Sequence, residues 1–86
     1  MNLDDLRVDI DGIDEKIVSL LNERAICAIK AGELKRASGM EEMCDKERER
    51  QVVERVTELS GGPLSDEAVA RIYKELMASC LGLEEE

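Results

Sequence analysis

Apolar side chains recur at alternating intervals of three and four residues along the first part of the chain. This spacing predicts one long amphipathic helix from Leu3 to about Arg36. Its seam comprises Leu3, Leu6, Ile10, Ile13, Ile17, Leu20, Arg24, Cys27, Ala31 and Leu34. Arg24 is the single charge in this series. A guanidinium in an apolar seam needs an anionic partner, because burying it unpaired costs several kcal/mol.

A second helix is predicted from about Glu42 to Ser60. The run Ala37-Ser38-Gly39 separates it from the first helix, because a glycine just past a helix end suits a left-handed C-terminal cap. The apolar stripe of the second helix comprises Val52, Val53, Val56 and Leu59. Stepping that stripe backward by three and four residues reaches Glu49 and Asp45, so two carboxylates continue the inward face.

A third helix is predicted after the turn Ser60-Gly61-Gly62-Pro63, with Ser65 as its N-cap. Its inward residues are expected to be Val69, Ile72, Tyr73, Leu76, Met77, Cys80 and Leu83. No strand pattern is present. The sequence therefore predicts an all-α protein in which residues 1–86 form a single domain.

The length of the first helix indicates an oligomer. A helix from Leu3 to Arg36 is roughly 50 Å long, whereas a compact domain of 86 residues has a radius of gyration of only about 12 Å. The helix therefore extends beyond any core that one chain can build. We expect a dimer in which the long helices pack against each other.

Composition excludes several classes of function. The net charge of −9 and the single aromatic residue, Tyr73, argue against nucleic acid as a partner. With no histidine and three cysteines that lack CxxC spacing, a metal site, a disulfide framework and a His-dependent nucleophile are not expected. No run is long or apolar enough for a membrane span or a signal peptide, so we expect a cytoplasmic protein.

The basic residues of the first helix are placed to hold an anion. Arg24 and Lys35 are eleven residues apart, which returns them to nearly the same face at roughly 16 Å along the axis. Arg7 lies roughly 25 Å from Arg24 and about 100° around the helix, so it reaches that region only from an antiparallel partner. Two interpretations remain open: these charges pair internally, Arg24 with Glu49 for example, or they line a ligand pocket.

The combined pattern resembles the all-α chorismate mutases. The resemblance rests on Leu6-Arg7-x-x-Ile10-Asp11-x-x-Asp14-x-x-Ile17-x-x-Leu20-Leu21-x-x-Arg24, then Lys35, then Asp45-x-x-Arg48-Glu49-Arg50. It covers nearly the whole chain. It implies an intertwined, domain-swapped homodimer that converts chorismate to prephenate by a Claisen rearrangement in phenylalanine and tyrosine biosynthesis. Such a unimolecular step requires neither a metal nor an organic cofactor.

The resemblance also implies roles for individual residues. Arg24 and the Arg7 of the second chain would bind the two substrate carboxylates, and Lys35 would contact a carboxylate and the ether oxygen. Glu49 and the backbone at Asp45 would hold the ring hydroxyl, with Arg48 ordering this polar network.

Two positions in the third helix differ from the bacterial pattern that the resemblance implies. Cys80 stands where a serine hydroxyl often helps to hold a carboxylate, and a thiol is a weaker donor. Glu84 stands where a glutamine often donates to the ether oxygen, so Glu84 would have to be protonated to do the same. We therefore expect activity to rise from about pH 8 toward about pH 5, and Glu84→Gln to remove that dependence.

Two other functions are compatible with parts of the pattern. An isochorismate pyruvate lyase would share the fold and much of the cationic set, although such proteins typically carry an apolar residue at the position of Glu49. A non-catalytic helical dimerisation module would use Arg24 only to set the register of the seam.

Overall fold

The computed structural model describes residues 1–39 and 46–84, with side chains as far as residue 81. These ranges form three helices: α1 (Leu3–Ala37), α2 (Lys46–Leu59) and α3 (Asp66–Glu84). No strand occurs in either range, which confirms the all-α prediction. The predicted start of the second helix near Glu42 lies outside the described residues. No helix in these ranges has the length and apolar character needed to cross a membrane.

Local signals fix both ends of α1. Asn2 caps the N-terminus in a reciprocal capping box, in which its side chain accepts a hydrogen bond from the Asp5 amide at 2.9 Å. At the other end the Ser38 amide donates to the Leu34 carbonyl, and Gly39 adopts a φ of 79°. A non-glycine residue is strained at that angle. The predicted end of the first helix is confirmed.

The third helix forms the centre of the protomer. It packs against both α1 and α2, while α1 and α2 do not contact each other within the described residues. The molecule extends 55 Å along its longest axis and has a radius of gyration of 15.9 Å, well above the value of about 12 Å for a compact domain of this length. As predicted, α1 extends beyond the core of its own chain.

Only the C-terminal half of α1 is covered by α3, and the covered face lies beside the predicted seam, with Arg24 as the one seam residue of this half that is half-buried. Gly32 is buried, and Ala25, Ala28 and Ile29 are half-buried beside it. The seam residues Cys27, Ala31 and Leu34 remain exposed. Small side chains allow two helices to approach closely, so the residues at 25, 28 and 32 explain which face α3 contacts.

The N-terminal half of α1 exposes its seam to solvent in the single chain. Its six apolar members retain between 42% and 62% of their surface. They are Leu3, Leu6, Ile10, Ile13, Ile17 and Leu20. A continuous apolar stripe of this length is typical of an interaction surface and not of a solvated helix face.

The packing of α2 and α3 confirms most of the predicted core and corrects two positions. Val69 and Cys80 are buried at 8% and 6% exposure, and most of the remaining predicted residues of both helices are half-buried. Ile72 was expected to be buried but is 54% exposed, and Leu59, at the end of α2, is 69% exposed. Both lie on faces that no described helix of the same chain covers. The side chain of Leu83 lies outside the described residues.

The N-terminus of α3 is capped as predicted. The Ser65 hydroxyl accepts a hydrogen bond from the Ala68 amide at 3.1 Å. Asp66 and Glu67 occupy the first turn, where negative charge complements the helix dipole. This cap fixes where α3 begins.

Candidate functional site

The charge that interrupts the seam lies where α1 meets α3. Arg24 is half-buried, and its Nη1 atom donates a hydrogen bond to the Sγ atom of Cys80 at 3.7 Å. Within the described residues Arg24 has no carboxylate partner, so the internal pair with Glu49 is not formed in the single chain. A guanidinium carries five N–H donors in a planar fork, and one contact to sulfur leaves most of them available for an anion.

Lys35 lies on the same side of α1, near the C-terminal end of the helix. It is half-buried and has no hydrogen-bond or ion-pair partner in residues 1–39 and 46–84. Eleven residues of helix separate it from Arg24, a distance of roughly 16 Å along the axis. The two cations and the buried thiol of Cys80 form a surface that we call the α1–α3 wall.

Arg7 lies apart from this wall. It is exposed on the N-terminal half of α1 and has no partner among the described residues. Seventeen residues of continuous helix separate it from Arg24, or roughly 25 Å. The single chain therefore does not bring Arg7 to the other predicted site residues.

The acidic part of the predicted site lies on α2. Glu49 is half-buried and continues the stripe that includes Val52, Val53 and Val56, as the sequence predicted. Arg48 is exposed beside it, and Asp45 lies outside the described residues. Glu49 also lines an open groove between α2 and α3. The groove is also lined by Lys46, Arg50, Val53, Glu54, Thr57 and Lys74.

Arg50 organises a charge network on the exposed side of α2. It pairs with Glu47 at 2.5 Å and with Glu54 at 2.7 Å, at the spacings of three and four residues that bring helix side chains together. The hydrogen bond from Arg50 holds the pKa of Glu47 below its ordinary value of 4.5. The same contact, together with the charge of Glu54, raises the pKa of Arg50. The sequence motif includes Arg50 but does not predict this network.

Glu84 is the last residue of α3, one helical turn beyond Cys80. Its side chain lies outside the described part of the chain, so its predicted contact with a substrate oxygen stays a prediction. Among the described residues, no group of three or more His, Cys, Asp and Glu side chains is arranged to hold a metal ion.

The structure thus places the predicted residues on two separate surfaces. The α1–α3 wall carries positive charge, α2 carries Glu49 and Arg48, and in the described ranges the two surfaces are joined only through α3. Such an arrangement can bind a carboxylate at the α1–α3 wall and a neutral hydroxyl at the carboxylate of Glu49. Sequence reasoning missed the contact face at Ala25, Ala28 and Gly32, although the spacing of these small residues was a usable signal.

Comparison with known proteins identifies the family. The family model described as chorismate mutase type II matches residues 6–85. The bifunctional chorismate mutase/prephenate dehydratase of Stutzerimonas stutzeri is 45% identical over 84 residues, which covers 93% of this chain and 23% of the relative. The enzyme of the same name from Neisseria gonorrhoeae is 48% identical over 75 residues, covering 87% of this chain and 20% of the relative. The chain thus spans about a quarter or less of the length of these relatives.

A solved structure agrees over nearly the full length of both molecules. The chorismate mutase (form II) of Thermus thermophilus superposes with a TM-score of 0.94 at 30% sequence identity. The match covers 98% of this chain and 94% of that one. The same three-helix fold, the family match and the level of identity agree with one another. The chain therefore belongs to the type II chorismate mutase family.

Proposed function

We propose that this chain rearranges chorismate to prephenate at a site whose cationic side is the α1–α3 wall. In this reaction a C–O bond of the ether breaks while a C–C bond forms within the same molecule, and no proton or group is transferred. The protein must therefore hold a flexible dianion in a compact, reactive conformer and stabilise the negative charge that grows on the ether oxygen.

One observation carries the location of the site. Arg24 is half-buried, yet the described residues offer it no carboxylate. A partly buried guanidinium with most of its donors unused is suited to bidentate binding of a substrate carboxylate. In this proposal Lys35 contacts a carboxylate and the ether oxygen from farther along the same helix.

The remaining contacts are assigned to α2 and to the end of α3. Glu49 and the backbone at Asp45 hold the ring hydroxyl, and Arg48 orders that polar network. Glu84, when protonated, donates to the ether oxygen. The half-buried position of Glu49 on the inward stripe supports its part in this assignment.

We further propose a homodimer in which Arg7 of the second chain completes each site. Two observations support it: the apolar seam from Leu3 to Leu20 is exposed in the single chain, and α1 is far longer than the core it meets. Burying that seam against a second copy removes apolar surface from water on both chains. A cytoplasmic location stays a prediction of the sequence.

An assay with two substrates tests the reaction. Purified chain incubated with chorismate should produce prephenate. The reaction is measured by the loss of chorismate absorbance, and the product is then identified. The isochorismate pyruvate lyase alternative predicts salicylate and pyruvate from isochorismate instead. Stable dimers that leave both substrates unchanged would favour the non-catalytic dimerisation module.

Hybrid dimers test whether Arg7 acts across the interface. Chains carrying Arg7→Ala or Arg24→Ala should each be nearly inactive as homodimers. After unfolding and refolding as an equal mixture, half of the dimers are hybrids with one intact site, so about a quarter of the parent activity should return. If Arg7 acted within its own chain, every site would carry a defect and no activity would return.

A further inference from the structure

The geometry of the contact between Arg24 and Cys80 distinguishes two roles for the thiol: direct contact with a substrate, or contact with Arg24 alone. A side chain that binds substrate directly must present its polar atom to the ligand. Cys80 is only 6% exposed, so its sulfur offers almost no surface to a substrate. What the sulfur does contact is the Nη1 atom of Arg24, at 3.7 Å, as the acceptor of a hydrogen bond.

The position of Arg24 makes such a contact useful. An arginine side chain has many rotatable bonds and loses conformational freedom when it binds a ligand. A buried acceptor on α3 restricts the guanidinium before the substrate arrives, while the remaining N–H donors stay available. Sulfur is a weak acceptor, so it restrains the guanidinium without neutralising its charge as a carboxylate would.

We propose that Cys80 is a positioning residue for Arg24. The thiol affects substrate binding only through the guanidinium of Arg24. This inference rests on the proposed function, because it assigns Arg24 to the substrate carboxylate. It differs from the expectation drawn from the family resemblance, in which the residue at this position itself helps to hold the carboxylate.

Steady-state kinetics of three Cys80 variants, with one control variant at Val69, test the role. Cys80→Ala and Cys80→Val both remove the acceptor, and Cys80→Val keeps more of the side-chain volume. Each should raise KM for chorismate about fivefold, the effect of losing one hydrogen bond, with little change in kcat. Cys80→Ser supplies another acceptor and should restore the parent KM. Val69→Ala, at the other buried position of α3, should lower the urea midpoint without raising KM.

A double-mutant cycle separates positioning from direct contact. In an Arg24→Lys background, Cys80→Ala should change kcat/KM by less than about twofold, because the group through which the thiol acts has been removed. A full fivefold loss in that background, or no loss in the parent background, overturns the proposal.

Urea unfolding gives a readout that does not depend on activity. Cys80→Ala and Arg24→Ala should shift the urea midpoint by less in combination than the sum of their separate shifts, since they remove the same contact. Additive shifts overturn the inference. If the parent chain does not convert chorismate, the proposed function fails, and non-additive shifts would still establish the contact between thiol and guanidinium.

Discussion

The two halves of α1 have similar apolar patterns but different surroundings. From Arg24 to Lys35 the helix packs on α3 through small residues, and Gly32 is buried there. From Leu3 to Leu20 the helix meets no other described element of its own chain closely enough to cover its apolar side chains. Within one protomer, α3 thus packs on the C-terminal half of this helix, whereas the apolar side chains of the N-terminal half stay exposed.

This difference indicates how the site is assembled. The half that is covered carries Lys35 and Arg24, which donates a hydrogen bond to Cys80 of α3, whereas the exposed half carries Arg7. We infer that the covered half supplies a preformed wall and that the exposed half serves the site of a second chain. Substitutions in the covered half should therefore change the chemistry, and those in the exposed half should change assembly.

The largest expected effect is that of Arg24→Ala. Removing a charged contact to a substrate carboxylate should lower kcat/KM about 10³-fold, or about 4 kcal/mol of transition-state stabilisation. The chorismate assay measures this loss, and circular dichroism checks that the helices are retained. Lys30→Ala is the matched control, because Lys30 is an exposed cation on another face of α1. Activity of the Arg24 variant within tenfold of the parent would contradict the assignment.

Ile13→Glu should disrupt assembly in the exposed half. Placing a carboxylate in the seam should cost about 3 kcal/mol per chain, because an isoleucine no longer leaves water when two chains associate. Analytical ultracentrifugation should detect a shift from dimer to monomer at a fixed protein concentration. Val8→Glu introduces the same charge on the opposite face of the helix and should leave the dimer intact. If both variants behave alike, the seam is not the interface.

Substitutions of two glycines in α1, one in each half, should change the free energy of unfolding in opposite directions. Gly32→Leu adds a large side chain at the buried contact with α3 and should destabilise the fold by about 2 kcal/mol. Gly12→Ala adds a methyl group that meets no atom within 4 Å in the single chain, so it should stabilise the helix by about 0.5–1 kcal/mol. Urea unfolding measures both changes. A loss of stability in Gly12→Ala would indicate that the second chain approaches closely there.

The smallest expected effect lies outside both halves of α1, in the exposed network of α2. Arg50 lowers the pKa of Glu47 in the folded chain. Their interaction therefore stabilises the fold at pH values above 4.5, the ordinary pKa of this carboxyl group. That contribution is lost as the pH falls through the lowered pKa. Arg50→Gln should therefore reduce stability slightly at neutral pH and become equal to the parent in acid, as measured by urea unfolding across this range. A difference that persists at low pH would assign the effect to helix propensity instead of charge.

Much of the local structure could be predicted from the sequence. The seam, the glycine beyond the end of α1 and the cap at Ser65 depend on residues only three or four positions apart, so their signals are local. The inward position of Glu49 followed from the same periodicity. Exposure of Ile72 and Leu59 did not, because periodicity identifies an apolar stripe but not whether another element of the chain covers it.

The sequence by itself determined the extent of α1, the start of α3, the fold class and the types of residue from which a carboxylate site could be built. Tertiary structure decided that α3 covers α1 on the face at Ala25, Ala28 and Gly32, which lies beside the predicted seam and shares only Arg24 with it. It also decided that Arg24 meets Cys80 and not Glu49. The reason is physical: helix formation and capping are settled within one or two turns, whereas the choice between two faces of one helix depends on the shape of an element far away in the chain.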